Sequence, residues 1–234
     1  MRSIALVFII ALIIAISGIG ALAADTRAPA TTVKNVPIGT KKATKVTLGK
    51  SFRKAHESFA KKDIKSAVAE IRKDAEFIKS ISERTIDASR EPLMASSRDL
   101  ETLADAIEKG TVTSAKDLED AFSNASKALA RHYSLKANES LANKDGKKLG
   151  KDLKATADYL EASFTWAGTK PDKGVDTVIK KVRGFAKEIT NGKDLQSEET
   201  SKNIKNISAE IEKIIAKANK EAAKPTKTEP VKKT

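Results

Sequence analysis

The sequence contains no cysteine, and aromatic residues make up only 4% of its 234 residues. A chain without cysteine is held together by its core alone, and it has no disulfides, cysteine zinc sites or cysteine-linked haem. So few aromatic residues do not favour a surface on which nucleic acid bases stack. The G-x-S-x-G, H-E-x-x-H and Gly-rich phosphate motifs are absent as well. We therefore expect no enzymatic activity, no cofactor and no nucleic acid partner.

Positive charge is in excess, with 44 lysines and arginines against 31 aspartates and glutamates and a net charge of +13. A basic excess favours contact with anionic surfaces. Outside the cytoplasm, such surfaces are lipid head groups, lipopolysaccharide, wall polymers and acidic envelope proteins. The same excess is also typical of faces that are simply solvated, and the sequence leaves both interpretations open.

The first 23 residues have the composition of a secretory signal peptide. Arg2 precedes an uncharged apolar run from Ile4 to Ala23, and the run ends in the small-residue pattern Ala21-Leu22-Ala23. This pattern predicts export, with cleavage before Ala24 and a periplasmic or extracellular location. The alternative is an uncleaved N-terminal membrane anchor, because an apolar run of about 20 residues is long enough to cross a bilayer.

Two further segments have the composition of disordered chain. Residues 24–45 contain prolines and threonines without an apolar period, which is typical of a linker. Residues 224–234, KPTKTEPVKKT, cannot bury enough apolar surface to offset the entropy of ordering, and we expect a basic disordered tail. The predicted folded domain therefore covers residues 46–223.

Within this domain, apolar residues recur at the spacing of amphipathic helices, and no segment alternates as a strand would. About six or seven helices follow, joined by loops short enough to make neighbours antiparallel. We predict an all-α antiparallel bundle in which each helix buries one stripe. The stripes are Leu48, Phe52, Ala55 and Phe59; Ile64, Ala67, Val68, Ile71, Ala75 and Ile78; Leu118, Ala121, Phe122, Ala125 and Leu129; Leu149, Leu153, Ala157, Leu160 and Phe164; and Ile204, Ile207, Ile211 and Ile214.

One phrase of the sequence occurs twice. KAHESFAKKDIKSAVAEIRKDAEFI begins at Lys54, and KANESLANKDGKKLGKDLKATADYL begins 82 residues later at Lys136. The match covers the end of one helix, an Asp at the start of the next helix (Asp63 and Asp145), and that next helix. It predicts an internally duplicated αα-hairpin, with copies at residues 48–81 and 128–168 and Pro92–Lys109 bridging them.

These hairpins, each with a small residue, a turn Asp and a following amphipathic helix, resemble those of the YfdX-type periplasmic proteins. The second copy, which continues to EASFTWAG, is also similar to a helical pattern with a tryptophan-glycine ending in uncharacterised exported bacterial proteins. The resemblance covers about residues 48–81 and 128–168. It implies an exported, all-helical protein that is linked to envelope stress and able to oligomerise, and it brings no catalytic residues.

A few residues are candidates for a site. His56 and His132 are the only histidines, each lies beside an apolar stripe, and imidazoles in a bundle can bind a metal or haem. Trp166, at a predicted helix end, is either a core residue or an interface anchor. The tail contributes a further basic interface consisting of Lys224, Lys227, Lys232 and Lys233.

Together, these patterns predict an exported, non-enzymatic helical-bundle protein of the bacterial envelope, linked to envelope stress. Its expected partner is an envelope protein or an anionic surface, and a homo-oligomer is an additional expectation. The alternative function is a periplasmic carrier that holds a metal, haem or small apolar ligand inside the bundle, with His56 or His132 as a ligand.

Overall fold

The computed structural model describes residues 48–85 and 88–222, and within them all regular structure is helical. The predicted all-α bundle is thereby confirmed. The predicted signal peptide, linker and basic tail, including Lys224, Lys227, Lys232 and Lys233, lie outside the described residues. The helices are α1 (Leu48–Ala60), α2 (Ile64–Glu83), α3 (Arg90–Glu108), α4 (Ala115–Ala142), α5 (Gly146–Trp166), α6 (Lys173–Thr190) and α7 (Glu198–Ala222).

Short polar residues and glycines set where the helices begin and end. The carboxylate of Asp63 accepts a hydrogen bond from the amide of Ser66 at 3.1 Å, and Asp145 accepts one from Lys148 at 2.9 Å. Both predicted N-caps are thus confirmed. The predicted C-terminal glycines all have positive φ, which only glycine adopts without strain; they are Gly110, Gly168 and Gly192.

The helices pack into two four-helix units that share α4. In the first unit α1 packs on α2, α2 on α3, α3 on α4, and α1 also contacts α4. In the second unit α4, α5, α6 and α7 pack in the same cyclic order. Each unit has its own hydrophobic cluster, and α4 contributes Leu118, Phe122 and Leu129 to the first and Ala130 and Ala137 to the second.

Helix α4 is the central element of the fold. Its 28 residues span about 42 Å at the usual rise of an α-helix. Between Phe122 and Ala130 every residue except Asn124 is buried, and most of them are Ser or Ala. The hydroxyl of Ser123 donates to the backbone oxygen of Ser163 on α5 at 2.8 Å. These short side chains let neighbouring helices approach α4 closely on several faces.

Every residue of the predicted stripes is buried or half-buried except Ile64. Ile64 was expected to lie in the stripe of α2, but its side chain is exposed. It is the first residue of that helix and lies beside the turn from α1. None of the described helices combines the length and apolarity that a membrane span requires.

The interval of 82 residues extends beyond the predicted hairpins. The last residues of α1 and α4 lie 82 positions apart, and so do the first residues of α2 and α5. The two turns share their backbone geometry, with positive φ at Lys62 and Lys144 and a 2.9 Å hydrogen bond from Asp63 N to Ser58 O that matches Asp145 N to Ser140 O.

The same interval also relates helices that were expected to lie outside the repeated element. Helix α3 ends at Glu108 and α6 ends at Thr190, and each is followed by a glycine with positive φ. We expected α3 only to bridge two hairpins. In the structure the corresponding segments are longer: α3 corresponds to α6, and α4 corresponds to α7. Buried pairs follow the same register: Ile71 and Leu153, Leu100 and Val182, Phe122 and Ile204. The duplication event itself stays a prediction.

Replacing the capping carboxylate of α5 tests how much this turn contributes to stability. Asp145→Ala leaves the amide of Lys148 without its side-chain acceptor, and we expect the free energy of unfolding to fall by about 1 kcal/mol. Denaturant unfolding followed by circular dichroism measures the change. Asp145→Asn, which keeps an acceptor oxygen at the N-cap, serves as the control and should retain most of the stability. Equal losses in both variants would contradict the role of the cap.

Candidate functional site

The first predicted site residue, His56, lies on α1 beside α4 and α5. Its Nε2 is 3.3 Å from Oε1 of Glu119, and its ring centroid is 5.8 Å from that of Trp166. Its side chain is partly exposed. His56 is therefore placed between a carboxylate and an aromatic ring at the edge of the first unit.

The second predicted site residue, His132, is buried on α4. Its Nδ1 is 2.9 Å from Oγ of Ser89, and its ring meets the ring of Tyr133 edge-on at 5.1 Å. Glu119, the contact of His56, lies about 20 Å from His132 along α4. The two histidines are thus not brought together, and one metal ion cannot bind both. Within residues 48–85 and 88–222, no group of three His, Asp or Glu residues could hold a metal.

Trp166 is packed against the first core. Its ring meets Phe122 at a centroid distance of 5.1 Å and Phe52 at 6.3 Å, both nearly perpendicular. Phe52 and Phe122 stack on each other at 4.3 Å. Of the two interpretations of Trp166, this geometry favours the core residue, since edge-to-face packing stabilises such aromatic clusters.

A cluster of lysines lies at the turn between α4 and α5. Lys144, Lys147, Lys148 and Lys151 occur within eight residues, and in the described part of the chain none has a carboxylate within ion-pair distance. Many other lysines of the bundle are paired, for example Lys116 with Asp120 at 2.6 Å. We call these four residues the α5 lysine cluster. Lys147 also lines a groove of about 410 Å³ together with Lys193 and the apolar side chains of Ile189 and Leu195.

A second groove lies where the two units meet on α4. It has a volume of about 420 Å³, its floor is formed by α4, and its walls are formed by α3 and α7. We call it the junction groove. Its lining residues are Pro92, Ser96, Asp99, Asn124, Lys127, Ala128, Arg131, Ile215 and Asn219.

Two cations of α4 lie in the junction groove. Lys127 is only 9% exposed, and its Nζ donates to Oδ1 of Asn124 at 3.1 Å. No carboxylate in the described residues lies within ion-pair distance of Lys127, and burial lowers the pKa of its ammonium group. Arg131 donates from Nε to Oε1 of Glu212 on α7 at 2.7 Å. The groove therefore holds one paired and one unpaired cation.

A third polar feature is the buried carboxylate of Asp74 on α2. Asp74 is 2% exposed, and its Oδ2 accepts no hydrogen bond. The pKa of Asp74 is raised to about 7, chiefly by burial; the hydrogen bond with Ser51 and the charge of Lys73 lower it, and the charge of Glu70 raises it. At the corresponding position of the second unit, Thr156 is satisfied by donating to the backbone oxygen of Asp152 at 2.9 Å.

Sequence reasoning did not identify Lys127, Arg131 or Asp74. A usable signal was present for two of them. Lys127 interrupts the run of small residues SNASKALA, which is typical of a helix buried on most faces, and Asp74 lies between Ile71 and Ile78 in an apolar stripe. The convergence of α3 and α7 on α4, which forms the groove, has no such local signal.

Comparison with protein-family models, curated proteins and solved structures found no match to the chain. The resemblance to the YfdX-type proteins therefore stays an expectation.

The titration of Asp74 predicts a specific pH dependence of stability. Its pKa is raised in the folded chain, so its contribution to the free energy of unfolding is complete below about pH 4 and is lost as the pH rises through about 7. We expect Asp74→Thr, which installs the residue of the second unit, to gain on the order of 3 kcal/mol relative to the wild type between pH 4 and pH 8.

Denaturant unfolding at both pH values measures this gain. Glu76→Gln removes a negative charge from an exposed position of the same helix and serves as the matched control. If the difference between Asp74→Thr and the wild type is the same at pH 4 and pH 8, the carboxylate of Asp74 does not titrate in this range.

Proposed function

We propose that the chain is an exported, non-enzymatic binding protein of the bacterial envelope, linked to envelope stress, whose basic bundle binds anionic surfaces. The observation that carries this proposal is the α5 lysine cluster, which has no carboxylate partner in the described residues. Unpaired lysines are available to an external anion, whereas paired lysines are already partly neutralised.

The dimensions of the cluster suit a surface of closely spaced negative charges. Lys147 and Lys151 are separated by about 6 Å along α5, roughly one helical turn, and Lys144 lies in the turn that precedes this helix. Each basic residue held near an anionic membrane contributes about 1 kcal/mol to binding. The groove beside Lys147 adds the apolar side chains of Ile189 and Leu195, whereas its other lysine, Lys193, is already paired with Glu188 at 2.8 Å. Phospholipid head groups are therefore our first choice of surface.

Neutralising the cluster tests the proposal. We expect the fourfold Lys→Gln variant at positions 144, 147, 148 and 151 to lose at least about tenfold in affinity for phosphatidylglycerol vesicles. Retention of the wild type should also fall in about 0.5 M salt, because screening weakens exposed charge interactions. Co-sedimentation with phosphatidylglycerol vesicles, and with neutral phosphatidylcholine vesicles as a blank, measures both effects.

A matched control removes the same net charge from lysines that have carboxylate partners. Lys54, Lys116, Lys154 and Lys180 each lie within ion-pair distance of an Asp or Glu, and their fourfold Lys→Gln variant should bind the vesicles almost as well as the wild type. Equal losses in the two variants would show that net charge, rather than the α5 cluster, governs binding. Undiminished binding in both would direct the search to the basic tail or to an acidic protein partner.

Export and the oligomeric state are tested by mass. We expect the denatured mass of the protein recovered from an exporting bacterial cell to correspond to a chain that begins at Ala24, because residues 1–23 have the pattern of a signal peptide. The native mass of the same sample gives the number of subunits. A denatured mass that includes residues 1–23 would contradict cleavage and would support the alternative of an N-terminal membrane anchor.

A further inference from the structure

We propose that the junction groove binds a small ligand through an oxyanion group, a carboxylate or a phosphate, with Lys127 and Arg131 as the cationic contacts. This site is separate from the α5 lysine cluster and does not depend on the proposed binding to anionic surfaces.

Burying the ammonium group of Lys127 has a free-energy cost. Lys127 as a residue is only 9% exposed, so its ammonium group loses hydration, and a neighbouring amide oxygen replaces only part of what is lost. A neighbouring carboxylate would compensate for the lost hydration, but no described residue supplies one within ion-pair distance of Lys127. Methionine would fill the same space in a helix without this cost. A buried charge that the fold itself does not neutralise is what a site for an external anion requires.

The shape and the lining of the junction groove suit a small anionic ligand. Its volume of about 420 Å³ lies in the range of small-ligand sites. Arg131 uses its Nε for Glu212, which leaves its Nη atoms to donate to a planar or tetrahedral oxyanion. The hydroxyl of Ser96 and the amides of Asn124 and Asn219 add neutral groups able to donate hydrogen bonds.

Lys127 occupies a position that belongs to the junction of the two units. At the junction, helices α3 and α7, which belong to different units, line one groove together with the shared helix α4. The residue 82 positions after Lys127 is Ala209, which is exposed on α7. Lys127 is thus specific to the junction and is not part of the pattern that the two units share.

Asp99 is the one carboxylate that lines the groove. It lies on the exposed wall formed by α3 and weakens the attraction of the groove for an anion. Removing its charge should therefore tighten oxyanion binding. Affinity for the oxyanion should rise when the charge of Asp99 is removed and fall when that of Lys127 is removed. Opposite changes in these two variants would locate the ligand in the groove.

The experiment titrates the full chain with inorganic phosphate and, separately, with acetate, and follows backbone amide chemical shifts. We expect the shifts to centre on the groove and Lys127→Met to weaken binding of the better probe by at least about tenfold. Lys116→Met, on the exposed face of the same helix, should bind within about twofold of the wild type. Asp99→Asn should bind more tightly, and the better of the two probes identifies the oxyanion as phosphate or carboxylate.

Thermal unfolding provides a second readout. Lys127→Met should be at least as stable as the wild type without ligand, and the better probe should raise the Tm of the wild type more than that of the variant. Three results would overturn the proposal: equal affinity in Lys127→Met and the wild type, no response to Asp99→Asn, or no shift in the groove with either probe. If Lys127→Met does not fold, Asp99→Asn decides alone. Vesicle binding that is unchanged in Lys127→Met separates this site from the lysine cluster.

Discussion

A helix surrounded by other helices has to carry short side chains, because backbones approach closely only where little lies between them. Helix α4 meets this requirement with the Ser and Ala residues between Phe122 and Ala130, and the two units depend on it. The first core takes Phe122 and Leu129 from this helix, and the second takes Ala130 and Ala137. Neither unit is complete without α4, so the two cores are expected to form and unfold together.

The elements that sequence reasoning predicted are those that local chemistry decides. Asp63, Asp145 and Gly110 act on their own helix ends, and the stripes of α1, α2, α4, α5 and α7 need only the helical period. Periodicity shows which face of a helix is buried but not which helix covers it. The 82-residue register was visible in sequence only around the two turns and in the helices that follow them, α2 and α5. In α3 and α6, Leu100 and Val182 occupy corresponding core positions. Such replacements make the two helices differ in sequence although they correspond in structure.

The candidate site was predicted less well, for a related reason. His56 and His132 were chosen by residue type, and the fold places them on different parts of the bundle. Lys127 is of a type that is almost always exposed, and its burial follows from the position of α7, which lies some 80 residues further along the chain. Asp74 is similar, since its burial depends on how the neighbouring helices pack on α2. Sites that arise where distant helices meet are therefore not encoded in local patterns.

The ion pair between Arg131 and Glu212 has a consequence for self-association. In the register of the two units, Glu212 and Asn219 of α7 occupy the places of Ala130 and Ala137, which α4 buries in the second core. A further copy stacked end to end on α7 would have to bury a carboxylate and an amide there. Polar residues at the last repeat act as a cap in repeat proteins. Stacking of a second copy on this face of α7 is therefore disfavoured, because two polar side chains would lose their hydration there.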